Sequence, residues 1–142
     1  MPGKIIFERL WDTLVKTGLK TIDDEHRVLI DVIIELLEDF NNNNNKDSLN
    51  MRNAFTKLIQ FMSQHFDTEE TLMSKFNYYC YVEHKQQHWE FIKGVLNLSF
   101  DYLEKKPNIK ELTIVLLEKW LIEHVVDEDS KFVECFKNNG VI

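Results

Sequence analysis

Glycine, proline and cysteine are scarce in this chain of 142 residues. Only four glycines and two prolines interrupt it, and polar and apolar residues nowhere alternate for long, which disfavours a β-rich fold. The two cysteines, Cys80 and Cys135, lie far apart and form no Cys-x-x-Cys pair. This spacing favours reduced thiols over a disulfide framework.

Long apolar runs and an excess of positive charge are also missing. No stretch approaches the roughly 18–20 apolar residues of a membrane-spanning helix, and no secretory signal begins the chain. We therefore expect no membrane span and a cytoplasmic location. The net charge of −7 and the lack of a basic stripe argue against nucleic acid as a partner. The hydrophobic content of 44% suits a globular domain with a real core.

Helical periodicity is the dominant pattern of the chain. Apolar residues recur at three- and four-residue steps over four long stretches, which predicts four amphipathic helices. The first should begin near Asp23 or Asp24, the second near Asp47 or Ser48, the third near residue 80, and the fourth should cover about 109–137.

The connections between these helices determine the expected fold class. A run of asparagines at 41–45 and the segments 75–79 and 105–108 favour turns rather than helix. Four helices with short connections predict an all-α fold, an antiparallel up-down-up-down four-helix bundle with left-handed supercoil. We expect this bundle to be a single domain at 23–142, preceded by an irregular N-terminal arm at 1–22.

All five histidines lie in short clusters that also contain carboxylates. His65 and Glu69 are four residues apart, as are His84 and His88, so each pair shares one face of a helix. His26 lies near the start of the first helix and His124 past the middle of the fourth. In an antiparallel bundle, all of these positions fall at the same end.

A lone histidine on an apolar stripe is more often a hydrogen-bonded core residue than a ligand. Five at one depth would bury several nitrogens, at about 1–3 kcal/mol for each one left unsatisfied. We therefore interpret the clusters as a metal centre, and this many donors implies two ions. Glu69 is the expected bridge between them.

A second bridge should come from the fourth helix. Asp127 and Glu128 share the face of His124 best on an ideal helix, whereas Asp129 lies about 140° away. Periodicity alone leaves this choice open.

The chain resembles the hemerythrins, in particular their single-domain bacterial members, over nearly its whole length. The resemblance rests on Asp24-Glu25-His26, His65-x-x-x-Glu69, His84-x-x-x-His88 and His124-x-x-x-x-Asp129. It implies two irons and a bridging oxo or hydroxo group. By this resemblance His84, His88 and His124 bind one iron, His26 and His65 bind the other, and Glu69 and Asp129 bridge. A bridging Asp129 predicts a locally distorted fourth helix or an oblique rotamer.

The odd number of histidines leaves one coordination position open if each iron takes six ligands. The resemblance implies that dioxygen binds reversibly there, without enzymatic turnover. It also implies an apolar oxygen pocket, for which plain core packing is the alternative explanation. The residues at the pocket positions are Phe66, Trp120, Leu121 and Val125.

An oxidase, a zinc site and a sensor are the alternatives to a dioxygen carrier. A ferritin-like di-iron oxidase would have Glu-x-x-His pairs, and none occurs here. Zinc accepts the same ligands, but a tetrahedral ion would leave several of them unused. An oxygen or redox sensor would act through a separate partner. Because the sequence ends directly after the fourth helix, we expect a stand-alone protein that stores, delivers or scavenges dioxygen, with an unknown recipient.

Overall fold

A computed structural model describes residues 17–43, 49–120, 123–124 and 129–141, with the backbone alone at 43, 129 and 130. Over these residues the protein is helical and contains no strand, which confirms the all-α prediction. The α-helices are α1 (Lys20–Asn43), α2 (Leu49–Lys75), α3 (Tyr81–Leu103), α4 (Ile109–Lys119) and α5 (Asp129–Asn138).

Helices that follow one another in the chain pack side by side. α1 packs on α2, α2 on α3 and α3 on α4, while α1 also contacts α4 and α2 contacts α5. The short connections at 76–80 and 104–108 reverse the chain, so neighbouring helices are antiparallel. A Cβ at Gly94 of α3 would lie 3.0 Å from Cδ2 of Leu116 on α4, so the glycine lets these helices approach closely.

The first helix begins earlier than the sequence predicts. It starts at Lys20 rather than at Asp23 or Asp24. The Asp23 carboxylate accepts hydrogen bonds from the backbone N–H groups of Thr17 at 2.7 Å and Gly18 at 3.0 Å. Asp23 therefore stabilises the chain entering the helix from within its first turn. Residues 1–16 and the predicted caps Asp47 and Ser48 lie outside the described residues.

The predicted fourth helix consists of two α-helical segments. α4 ends at Lys119, the described residues that follow are π-helical (Trp120, Glu123 and His124), and α5 begins at Asp129. A π-helical turn closes hydrogen bonds between residues five apart instead of four. It is therefore the kind of local distortion that the spacing of His124 and Asp129 predicts. Residues 121–122 and 125–128 lie outside the described part of the chain.

Buried apolar side chains form two clusters. The large cluster contains residues from α1 to α4 together with Trp120. The small cluster lies where α1 begins, α2 ends and α5 packs, and its members are Leu19, Ile22, Met73, Tyr78, Phe132 and Phe136. Buried histidines contact both, because His88 stacks on Phe66 of the large cluster and the His84 ring lies 5.5 Å from that of Phe132.

No helix among the described residues is long and apolar enough to cross a membrane. Cys80 and Cys135 are both free and half-buried, which confirms that they form no disulfide. Both pack at the edge of the small cluster.

Candidate metal centre

Six potential ligands lie buried at one level of the bundle. α1 supplies one of them, α2 and α3 two each, and the π-helical segment the last. Each is at most 1% exposed, although such side chains are costly to bury without partners. They are His26, His65, Glu69, His84, His88 and His124.

The six residues form two groups that share one carboxylate. In each group, one ligand atom from every member lies within 4.8 Å of the others. The groups are Glu69 with His84, His88 and His124, and Glu69 with His26 and His65. The structure thus brings together six of the seven predicted ligands and divides the histidines three and two. The Asp129 side chain lies outside the described atoms, so a second bridge stays a prediction.

Glu69 lies where the imidazoles of both groups converge. Its Oε1 is 3.1 Å from Nε2 of His65 and 3.4 Å from Nε2 of His88. These contacts are short but not aligned as hydrogen bonds, and neither carboxylate oxygen has a hydrogen-bond partner among the described residues. Burial alone would raise the pKa of Glu69, but attraction to His65 and the close approach of the His65 and His88 rings hold that pKa well below its usual 4.5.

A buried carboxylate anion ringed by imidazole nitrogens fits a bound cation. A carboxylate buried without neutralisation is unfavourable, and a positive ion between the donors would supply the missing charge. Imidazole and carboxylate are ligands that iron and zinc both accept, so the donor set admits either metal. The residues present therefore fit the metal centre that the sequence predicts.

Three of the histidines have a polar contact on the side away from the centre. In each case Nδ1 approaches a side-chain oxygen, and Nε2 is left for the centre. The distances are 3.1 Å from His65 to Glu25, 2.8 Å from His88 to Glu70 and 2.8 Å from His124 to Gln87. Such contacts commonly orient the histidines that bind metals. Sequence reasoning missed all three, although Glu70 adjoins Glu69 and Gln87 adjoins His88.

The predicted oxygen-pocket residues are only partly described. Phe66 is 2% exposed, and its ring stacks on that of His88 with centroids 3.9 Å apart and planes 3° apart. Trp120 is 1% exposed and belongs to the large cluster. Its indole N–H has no hydrogen-bond partner among the described residues. Leu121 and Val125 lie outside the described residues, so the pocket as a whole stays a prediction.

Two surface clefts each reach the outer side of one of these histidines. One, of about 310 Å³, is lined by Gln87, Phe91 and His124 among others. The second, of about 230 Å³, includes Glu25 and His65 in its lining. The outer contacts of these two histidines therefore lie close to solvent, although the rings themselves are buried.

Known proteins share both the sequence pattern and this fold. Residues 17–136 match the family model described as the hemerythrin HHE cation binding domain. The chain is 31% identical over 123 residues to hemerythrin subunit 1 of Golfingia vulgaris, covering 87% of this chain and 89% of that protein. It is 27% identical over 130 residues to the bacteriohemerythrin of Pseudomonas paraeruginosa, covering 92% and 82%.

A solved structure shows the same fold. The crystal structure of a wild-type hemerythrin matches with a TM-score of 0.74 at 23% identity, over 84% of this chain and 89% of that one. The match confirms the predicted all-α bundle.

Proposed function

Because this chain belongs to the hemerythrin family, we propose that it binds dioxygen reversibly at a non-haem di-iron centre. The observation that carries this proposal is the pair of buried ligand groups joined through Glu69. The described donors form two separate groups, and neither group contains all five imidazoles, whereas two ions that share the carboxylate could use every donor.

The ligand assignment follows the division into groups. Three histidines would hold one iron, two would hold the other, and the shared carboxylate would bridge them together with an oxo or hydroxo group. The first iron would be bound by His84, His88 and His124 and the second by His26 and His65, and the bridging carboxylates would be Glu69 and Asp129. The two groups of described ligands support this assignment, and the π-helical conformation at His124 supports the participation of Asp129.

The iron pair, when bound, would supply the electrons and the open coordination position that reversible dioxygen binding requires. That position would lie in the group with His26 and His65, which offers one imidazole fewer than the other group. Phe66 covers one face of the His88 ring and keeps water from it. Trp120, Leu121 and Val125 complete the apolar pocket that we propose around the centre.

Carriage of dioxygen suits this donor set better than turnover of a substrate. Five neutral imidazoles accompany two carboxylates in the proposed set, whereas ferritin-like di-iron sites are rich in carboxylates. We therefore propose storage, delivery or scavenging of dioxygen as the role of the protein.

The direct test is an optical spectrum of the reduced, iron-loaded protein before and after exposure to dioxygen. We expect two irons per chain by elemental analysis, and absorption bands that appear with the gas and disappear on its removal. Steady consumption of dioxygen with an added substrate would instead indicate an oxidase. A colourless protein containing zinc after growth in iron-rich medium would also contradict the proposal.

A matched pair of variants tests the shared carboxylate. Glu69→Gln should prevent both irons from binding together, because it removes the bridging anion. Glu111→Gln makes the same change of charge at an exposed position on α4. It should therefore retain both irons and the reversible spectrum.

A further inference from the structure

Glu25 connects two helices and touches a proposed metal ligand. Its Oε1 lies 3.1 Å from Nδ1 of His65, and its Oε2 accepts a hydrogen bond of 2.9 Å from the hydroxyl of Thr68. Glu25 belongs to α1, while both partners belong to α2. The Glu25 side chain is 25% exposed, whereas His65 is 1% exposed. The carboxylate thus reaches the buried ring from the edge of the bundle.

The chemistry of this contact fixes which ring nitrogen carries hydrogen. A carboxylate can only accept hydrogen bonds, so the nitrogen that faces Glu25 must be the donor. A neutral imidazole has one N–H and one lone pair. With the hydrogen on Nδ1, the lone pair of Nε2 points toward Glu69, which lies 3.1 Å away.

We propose that Glu25 is a positioning residue for the metal centre: it orients the His65 ring and fixes its tautomer, with Thr68 holding the carboxylate in place. This inference rests on the proposed metal site but not on dioxygen binding. Because Glu25 is an anionic acceptor, it also makes the His65 imidazole a stronger electron donor than a neutral acceptor would. The group that contains His26 and His65 should therefore bind metal more tightly than it would with a neutral residue in place of Glu25.

The same chain contains a neutral counterpart for comparison. His124 in the other group faces the amide oxygen of Gln87 at 2.8 Å, so an uncharged acceptor can also orient a ring. The orientation of the ring and the charge of its acceptor can therefore be tested separately. Glu25→Gln would keep an acceptor oxygen for Nδ1 and remove the charge, whereas Glu25→Ala would remove both.

A purely structural role for Glu25 is the alternative. Through Thr68 the carboxylate joins α1 to α2, so its loss could weaken the bundle without affecting the ring. Thr68→Val separates the two roles, because it removes the hydroxyl contact and leaves the contact with His65 possible. Glu111→Gln is the control for a general change of charge.

The experiment uses the full chain loaded with zinc, a diamagnetic probe that needs no redox chemistry. Zinc affinity is measured by competition with a chelating dye, and the ring nitrogens of the histidines are followed by 15N NMR. In the parent we expect a slowly exchanging Nδ1–H on His65. Glu25→Ala should lose this signal and bind zinc in the two-histidine group about 10–100-fold more weakly.

The conservative variants complete the test. Glu25→Gln should retain the Nδ1–H signal with a smaller loss of affinity, and Glu111→Gln should match the parent. The proposal is overturned if Glu25→Ala keeps both the signal and the affinity, or if Thr68→Val weakens zinc binding as much while His65 keeps its signal. It is also overturned if the parent binds no zinc at His26 and His65. Failure of the iron-loaded protein to bind dioxygen, with these zinc results intact, would refute the proposed function alone.

Discussion

Replacing Phe66 with leucine would remove the aromatic face that lies against a proposed metal ligand. The Phe66 ring is nearly parallel to that of His88, with centroids 3.9 Å apart, and it also lies 6.0 Å from the ring of His124. Because Phe66 is buried in the large cluster, leucine would keep most of the apolar contact and lose the stack.

The expected loss of stability has two parts. An aromatic pair contributes about 0.5–1.5 kcal/mol beyond the burial of its area. Exchanging one large apolar side chain for another of similar size costs less than about 1.5 kcal/mol. Together they lower the free energy of unfolding by about 0.5–3 kcal/mol. For a chain of this length, this corresponds to a fall in Tm of about 2–10 °C.

Phe55→Leu is the matched control. Phe55 is also 2% exposed in the large cluster, but its ring contacts are with Phe40 and Tyr102, at 6.0 and 5.7 Å. In the metal-free protein, thermal unfolding should show similar losses for both variants. In the iron-loaded protein, Phe66→Leu should release metal faster than Phe55→Leu on challenge with a chelator, because Phe66 stacks on the His88 ring and Phe55 does not contact a proposed ligand.

The rate of metal release decides the outcome. If the Phe66→Leu protein releases iron no faster than the Phe55→Leu protein, the stacked ring contributes packing alone. The argument that it restrains a ligand would then be wrong.

Three other predictions concern stability. Asp23→Ala should cost about 0.5–2 kcal/mol in chemical denaturation, because the N–H groups that enter α1 lose their acceptor; an unchanged midpoint would contradict this role. Gly94→Ala should stabilise the Leu116→Ala variant by about 1 kcal/mol but should not stabilise the parent, since a Cβ at residue 94 meets Leu116 at 3.0 Å in the parent. Equal effects in both backgrounds would rule out the clash. Metal removal should lower Tm, since an ion present at a hundred times its Kd stabilises the fold by about 2.7 kcal/mol; equal Tm values with and without metal would show that the buried ligands do not hold it.

The sequence predicted the helices well where apolar periodicity and turn-forming residues coincide. The third helix was expected from about residue 80 and begins at Tyr81, and the fourth was expected from about 109 and begins at Ile109. The convergence of the five histidines was also predictable, because spacing along a helix and alternating helix direction fix their depth.

Features that depend on contacts between distant residues could not be read from the pattern. The predicted start of α1 lies three or four residues too late, because Asp23 resembles a cap and instead reaches back to Thr17 and Gly18. The interruption of the fourth helix after Lys119 was foreshadowed only by the five-residue spacing of His124 and Asp129. Glu25 is visible in the sequence only as the residue before His26, since no local signal shows that it meets His65 on the next helix.

The position of the histidines between the large and small clusters affects how the protein can exchange its metal. Among the described residues, apolar packing does not run continuously from one end of the bundle to the other, because the buried histidines lie between the two clusters. The end that contains α5 can then open as a cooperative unit of its own while the rest of the fold persists. Such subglobal opening would expose the ligands to chaperones or chelators and permit iron to be loaded or lost within the lifetime of one folded chain.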